Sequence, residues 1–164
     1  MQVSMVKAFS AFRMILKPVL TRFPLLRQVD ANMISGLGLV FTPIAYMLLS
    51  ERAIVASIIA IFLILLLDAL DGIVARAKGQ TSSEDGWMVD ISVDRISEAV
   101  ISLALSRVFI LLTILNMGLA LLSYQHKKHA IIPLRHAILV ILIAYYLLEK
   151  QPAFFILDQI LFQW

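Results

Sequence analysis

The chain alternates long apolar runs with short polar or charged breaks, and the runs have membrane length. A helix crosses the hydrocarbon core of a bilayer with about 20 mostly apolar residues, in a range near 17–25. Asn32 to Ser50 is such a run, bounded by Asp30 and by Glu51-Arg52. Ala53 to Leu67 carries no charge, and its helical pattern continues to Arg76. Residues 77–85 are polar and read as a loop. Trp87 to Leu105 predicts a third span, with its charges toward its start, and Val108 to Tyr124 and Ile131 to Leu148 predict two more. Ala153 to Trp164 is apolar but short, a sixth helix or the start of a truncated one. The expected fold is an all-α integral membrane protein of about six transmembrane helices, a single domain over residues 1–164 with the bundle at 32–164.

Composition strengthens this reading. Apolar residues make up 61% of the chain and charged residues 15%, against soluble averages of about 45–50% and about 25%. The excess apolar surface has to face something other than water. Cysteine is absent, which excludes a disulfide framework and a thiolate metal site. Residues 1–28 differ from the rest. Lys7, Arg13, Lys17, Arg22 and Arg27 alternate there with Phe9, Phe12, Met14, Ile15 and Val19, the pattern of an amphipathic helix lying on an anionic membrane surface. No second basic face follows, so a nucleic-acid partner is not expected. No small-residue cleavage site follows the segment either, so it does not read as a signal peptide.

Lysine and arginine in the short loops set orientation. With the N-terminus inside, the inner side carries the five N-terminal cations with Arg76, Lys78, Lys127 and Lys128, against Arg52, Arg107 and Lys150 outside. The 77–85 loop and its flanking acids then lie at the cytoplasmic surface, with the plasma membrane the expected location.

Those acids are the chemistry. An acidic side chain at a helix centre in a bilayer costs about 2.5–3.5 kcal/mol on insertion scales, yet Asp68, Asp71, Asp90, Asp94 and Glu98 lie in or beside two consecutive spans. Asp68, Asp71 and Ala75 share one face of their helix, and Gly72 and Arg76 form an adjoining stripe. Gly86, Asp90 and Asp94 recur every four residues on the next helix. A short connection makes the two helices antiparallel neighbours, so both acidic faces meet at one depth. Four converging carboxylates repel unless cations sit between them, and oxygen-only donors select magnesium or manganese. Two ions would suit four aspartates.

This stretch also resembles a known family. Asp68-Ala-Leu-Asp71-Gly72-Ile-Val-Ala75-Arg76, nine residues, Gly86, three residues, Asp90, three residues and Asp94 is similar to the signature of the CDP-alcohol phosphatidyltransferases. The family usually has eight residues between the arginine and the second glycine. The additional residue here falls in the polar loop, where insertions are tolerated. Asn32-Met-Ile-Ser35 resembles the Asn-x-x-Ser/Thr element before the family's first membrane helix, although it is also an ordinary helix start.

The resemblance implies a reaction and a set of roles. The metals would hold the diphosphate of CDP-diacylglycerol or an analogous CDP-lipid, a small alcohol would attack phosphorus, and CMP would leave. Asp68, Asp71, Asp90 and Asp94 would be metal ligands, with Asp94 also the catalytic base. Gly72, Ala75, Arg76 and Gly86 would line the CDP site. Asn32, Ser35, Thr81 and Arg135 are secondary candidates, Arg135 as a phosphate binder for the acceptor. Glycerol phosphate is the first expected acceptor and inositol phosphate the second, and a homodimer is implied.

Blander roles are expected elsewhere. Arg95 and Glu98 read as an intrahelical ion pair, and His126 and His129 as residues of a solvated loop. Arg107 lies at the outer turn, and Trp87 and Trp164 mark interfaces. Arg135 and His136 either face the cavity or snorkel to the interface. Two other classes compete. A membrane prenyltransferase also binds a diphosphate through aspartates and magnesium, but its motifs lack the Asp-Gly-x-x-Ala-Arg element. A divalent-cation transporter needs acids deeper in the bilayer. A catalytically dead relative is the third alternative.

Overall fold

The computed structural model describes residues 30–77, 84–126, 132–149 and 154–163; the side chains of 76, 77, 84–90, 124–126, 154 and 155 lie outside this description. The expected interfacial helix at 1–28 and the loop residue Thr81 therefore fall outside the described residues. Six helices are present among them: α1 (Ala31–Ser50), α2 (Ile54–Ala77), α3 (Glu84–Ser102), α4 (Arg107–His126), α5 (Leu134–Leu147) and α6 (Phe154–Phe162). No strand occurs among the described residues.

Each helix starts or stops where the sequence gives a reason. Asp30 caps α1, its carboxylate accepting from the Asn32 backbone N–H at 3.2 Å, which satisfies one of the donors that a helix start leaves open. A three-residue turn at 51–53 reverses the chain into α2, with Arg52 in the left-handed region at φ 56°. A non-glycine residue held there costs of order 1 kcal/mol. The turn is held by the far end of the chain: the Arg52 guanidinium lies over the Phe162 ring, 4.9 Å from its centroid, and 3.3 Å from Asp158. Pro43 sits inside α1 on its exposed face. One difference from the sequence reading is that α3 begins at Glu84, inside the expected loop, because the acidic Glu84-Asp85 pair suits the first turn of a helix. Another is that α4 runs on to His126, so that this histidine ends a helix rather than lying in a loop.

Helix α1 packs along α2 and α3, α2 also against α5, α3 against α4, and α5 against α6. The main apolar core fills the end of the bundle that carries the 51–53 turn. There Leu49, Ile61, Ile101, Phe109, Leu142 and Leu161 come together. Ser106 fastens α6 to this end. Its backbone N–H donates to the Leu161 carbonyl at 2.7 Å and its hydroxyl donates to the Ile160 carbonyl. Hydroxyl pairs join helices along the interior, Thr42 with Ser97 at 2.9 Å and Ser102 with Thr113 at 2.7 Å. Such pairs satisfy polar atoms where no water competes. Phe109→Ala removes the largest fully buried side chain and is expected to destabilise the fold by about 3–5 kcal/mol, read as a lowered thermal midpoint in detergent.

The outward faces are apolar. Val40, Met47, Ile59, Phe62, Leu121 and Val140 are among many large hydrophobic side chains left exposed, far more than a water-facing surface carries as contiguous patches. Helices α1 and α2 are long and apolar enough to cross a membrane. Residues 107–123 and 134–147 are shorter apolar stretches. Helix α5, at 1.5 Å per residue, spans about 21 Å, less than the hydrocarbon core of about 30 Å.

Candidate active site

Chain reversal at 51–53 and at 103–106 brings the start of α1, the end of α2, the first half of α3 and the start of α5 toward the opposite end of the bundle, with Leu134 at the edge of the main core. Polar side chains converge there. Asp68 and Asp71 lie on α2 three residues apart, and Asp71 is buried. Ser35, one turn into α1, donates its hydroxyl to Asp71 Oδ2 at 2.6 Å, and the same hydroxyl lies 3.2 Å from the Ala31 carbonyl.

Arg135 holds the cluster together. It sits in the first turn of α5, buried, and its Nη2 lies 2.6 Å from Asp68 Oδ2 and 2.5 Å from Asp94 Oδ1. One nitrogen thus joins α2, α3 and α5, and the carboxylates of two helices that both pack on α1 converge on a single cationic group. The two aspartate side chains keep about a quarter of their surface exposed, 25% and 23%, while the arginine keeps 5%. A side chain so placed is turned inward. The snorkelling alternative for Arg135 is not realised, whereas His136 beside it is exposed.

The other expected residues fall as follows. Gly72 and Ala75 are half-buried on α2. Asn32 is exposed at the start of α1, and only its backbone is engaged by Asp30. Gly86 and Asp90 lie on α3, four residues apart and in register with Asp94; the Asp90 and Arg76 side chains are outside the description. Arg107 is exposed at the start of α4, at the far end of the bundle. Arg95 and Glu98 form their ion pair on α3, 2.7 Å between Nη1 and Oε2. Both are buried, however, which a solvated i, i+3 pair would not be.

Asn116 was not foreseen. Its side-chain N–H donates to Glu98 Oε2 at 2.9 Å and to the Ile132 carbonyl at 2.8 Å, and its Oδ1 accepts from the Ile132 backbone N–H at 2.9 Å. The signal was present as a lone asparagine within the apolar run from Val108 to Tyr124, where an unpartnered amide would be costly.

Do these residues suit divalent ions? The donors are hard carboxylate oxygens of the kind magnesium and manganese take, and Asp68 and Asp94 already converge on one cation. Among the described residues alone, no three acidic or histidine side chains form a metal-holding group.

Ser35→Ala removes a hydrogen bond to a buried carboxylate, an interaction worth about 1.5–3 kcal/mol when one partner is charged. The expected result is a lower thermal midpoint and roughly tenfold slower turnover, with Ser35→Thr close to wild type.

Fold and site together define an all-α protein whose apolar bundle carries a carboxylate–guanidinium cluster at one end, opposite its core. The family model for CDP-alcohol phosphatidyltransferase matches residues 29–164, and the chain belongs to that family. It is accordingly a transferase that acts on a CDP-alcohol, which does not favour the prenyltransferase and cation-transport readings. No curated protein and no solved structure matches the chain at a significant level.

Proposed function

We propose that this enzyme transfers a phosphatidyl group, or its ether-lipid equivalent, from a CDP-lipid to a phosphorylated alcohol, glycerol phosphate first and inositol phosphate next. The observation that carries the acceptor choice is the buried Arg135 guanidinium set between Asp68 and Asp94. The guanidinium is a planar donor fork that matches phosphate oxygens, and it stands beside Asp94, the residue that takes the acceptor's proton.

In this reading the acceptor hydroxyl attacks the lipid-bearing phosphorus. The new O–P bond forms as the bond to the bridging diphosphate oxygen breaks, CMP leaves with that oxygen's electron pair, and the hydroxyl proton passes to Asp94. Asp68, Asp71, Asp90 and Asp94 would hold one or two magnesium or manganese ions, which when bound supply charge neutralisation at the diphosphate. Ser35 fixes Asp71 against rotation. The half-buried Gly72 and Ala75 leave the α2 backbone open to a nucleotide, and Arg76 and Gly86 would complete the CDP site. The site faces the cytoplasm in a multi-pass protein of the plasma membrane, which works as a homodimer.

The test is an acceptor panel. Detergent-purified protein is given CDP-diacylglycerol or its ether analogue, magnesium, and glycerol phosphate, inositol phosphate, inositol, glycerol or serine. CMP release confined to the phosphorylated acceptors is the expected result. Equal turnover with inositol or glycerol would overturn the acceptor assignment.

A further inference from the structure

We infer that Asn116, backed by Glu98 and Arg95, is a positioning device that sets Arg135 in the active site and thereby the enzyme's grip on its acceptor. The inference rests on the transfer reading above for what Arg135 holds, but the device is visible without it.

Arg135 stands only three residues beyond Ile132, at the point where the chain enters α5. That entry has no side-chain cap, since Pro133 precedes the helix without a capping hydrogen bond. Asn116 takes over the role from another helix. Its amide closes on both the N–H and the C=O of Ile132, a paired contact that fixes the peptide's orientation as well as its place. The bond is made although Ile132 itself is 40% exposed, and it precedes Leu134, which is buried in the main core.

The amide is held in turn. The same Asn116 nitrogen donates to Glu98 Oε2, and that oxygen is the one Arg95 meets at 2.7 Å. Asn116, Glu98 and Arg95 are all buried, at 0%, 1% and 7% exposure. The Arg95 Nε and Nη1 atoms have no hydrogen-bond partner among the described residues, so Arg95 acts on Glu98 through charge rather than as a directed donor. Charge alternates through the interior: Arg95, Glu98, Arg135, then Asp68 and Asp94. The relay therefore joins α3 and α4 to the start of α5, three residues before Arg135.

Buried polar networks favour one arrangement of the groups they join. An apolar residue at this buried position would leave Glu98 and the Ile132 peptide without their partner. The retained amide makes sense as a device that fixes where α5 begins.

The experiment uses the full chain in detergent and has two arms. Amide hydrogen exchange at residues 132–137 reads the clamp itself, with no substrate present. Asn116→Ala is expected to speed exchange there about tenfold while α1 and α2 are unchanged. Steady-state kinetics read its consequence. Asn116→Ala should raise the KM of the acceptor about tenfold, with the KM of the CDP-lipid held. The double variant Asn116→Ala/Arg135→Ala should lose no more acceptor kcat/KM than Arg135→Ala alone. Where Asn116→Ala does not fold, Glu98→Gln keeps an oxygen for the Asn116 amide, removes the charge, and should move the same two readouts less. Unchanged exchange at 132–137 overturns the clamp. Raised exchange with losses that add to those of Arg135→Ala overturns its link to the acceptor and leaves a structural role only. If the wild-type enzyme turns over only unphosphorylated alcohols, the acceptor reading fails; the cycle is then run with the alcohol it uses, and additivity there still overturns the link to Arg135. If it releases no CMP with any alcohol, the transfer reading fails and exchange alone decides the clamp.

Discussion

Asp94→Asn is expected to lower CMP release by about 10²–10⁴-fold, the span that a positioned general base contributes, while leaving the protein folded. Asparagine has the same shape and keeps an oxygen for the Arg135 guanidinium, which Asp94 meets at 2.5 Å. It cannot accept the acceptor's proton. Asp94 is also partly solvated, at 23% side-chain exposure, so removal of its charge does not strand Arg135, which retains Asp68 at 2.6 Å. The thermal midpoint should therefore move little and binding of the CDP-lipid should survive in part. A residual activity within tenfold of wild type would mean that Asp94 is a counter-ion for Arg135 and no more. Fluorescence-detected unfolding and CMP release on the same preparation separate the two.

Arg135→Ala is expected to have the second largest effect, and to show it in stability as well as in rate. Removing one partner from a buried ion pair strands the other charges, at a cost of about 3–5 kcal/mol. The lower end applies here because both aspartates keep some contact with water. Two carboxylates that shared one cation are then left facing each other. Added magnesium should raise the midpoint of this variant more than that of wild type, because the ion substitutes for the missing charge. Acceptor kcat/KM should fall by about 10- to 100-fold, the value of a lost charge-assisted hydrogen bond. Arg135→Lys restores charge but not the planar fork, so it should recover the midpoint and only part of the rate. A midpoint insensitive to magnesium in Arg135→Ala would contradict a cation site between Asp68 and Asp94.

The parts of this molecule legible in the sequence are those where hydropathy or spacing is decisive. Asn32 to Ser50 became α1 within one residue, and the run to Arg76 became α2, because uninterrupted apolar sequence of that length has few alternatives to a helix. The spacing of Asp68, Asp71 and Asp94 placed them on the inner faces of two helices. What periodicity could not convey was which distant residue would meet them. Arg135 is 67 positions from Asp68, and nothing local distinguishes a cation that turns inward from one that snorkels. Ser35 was similarly ambiguous, since its motif doubles as a helix start; only the packing of α1 on α2 brings its hydroxyl to Asp71. Arg95 and Glu98 were legible as a pair but not as a buried one. Their burial follows from α4 lying across them, and Asn116 supplies the bond that makes it tolerable. Helix α3 starts at Glu84, within a stretch whose polarity predicts a loop, because acids at a helix start are favourable.

The central claim is that these carboxylates drive transfer from a CDP-lipid, and the most direct measurement is CMP release in a single preparation under three conditions. Purified wild-type protein with CDP-diacylglycerol, glycerol phosphate and magnesium should release CMP in step with a phosphatidyl product. Addition of EDTA should stop it, and Asp94→Asn should show almost none with magnesium present. CMP release that persists in EDTA and in the Asp94→Asn variant would contradict the account.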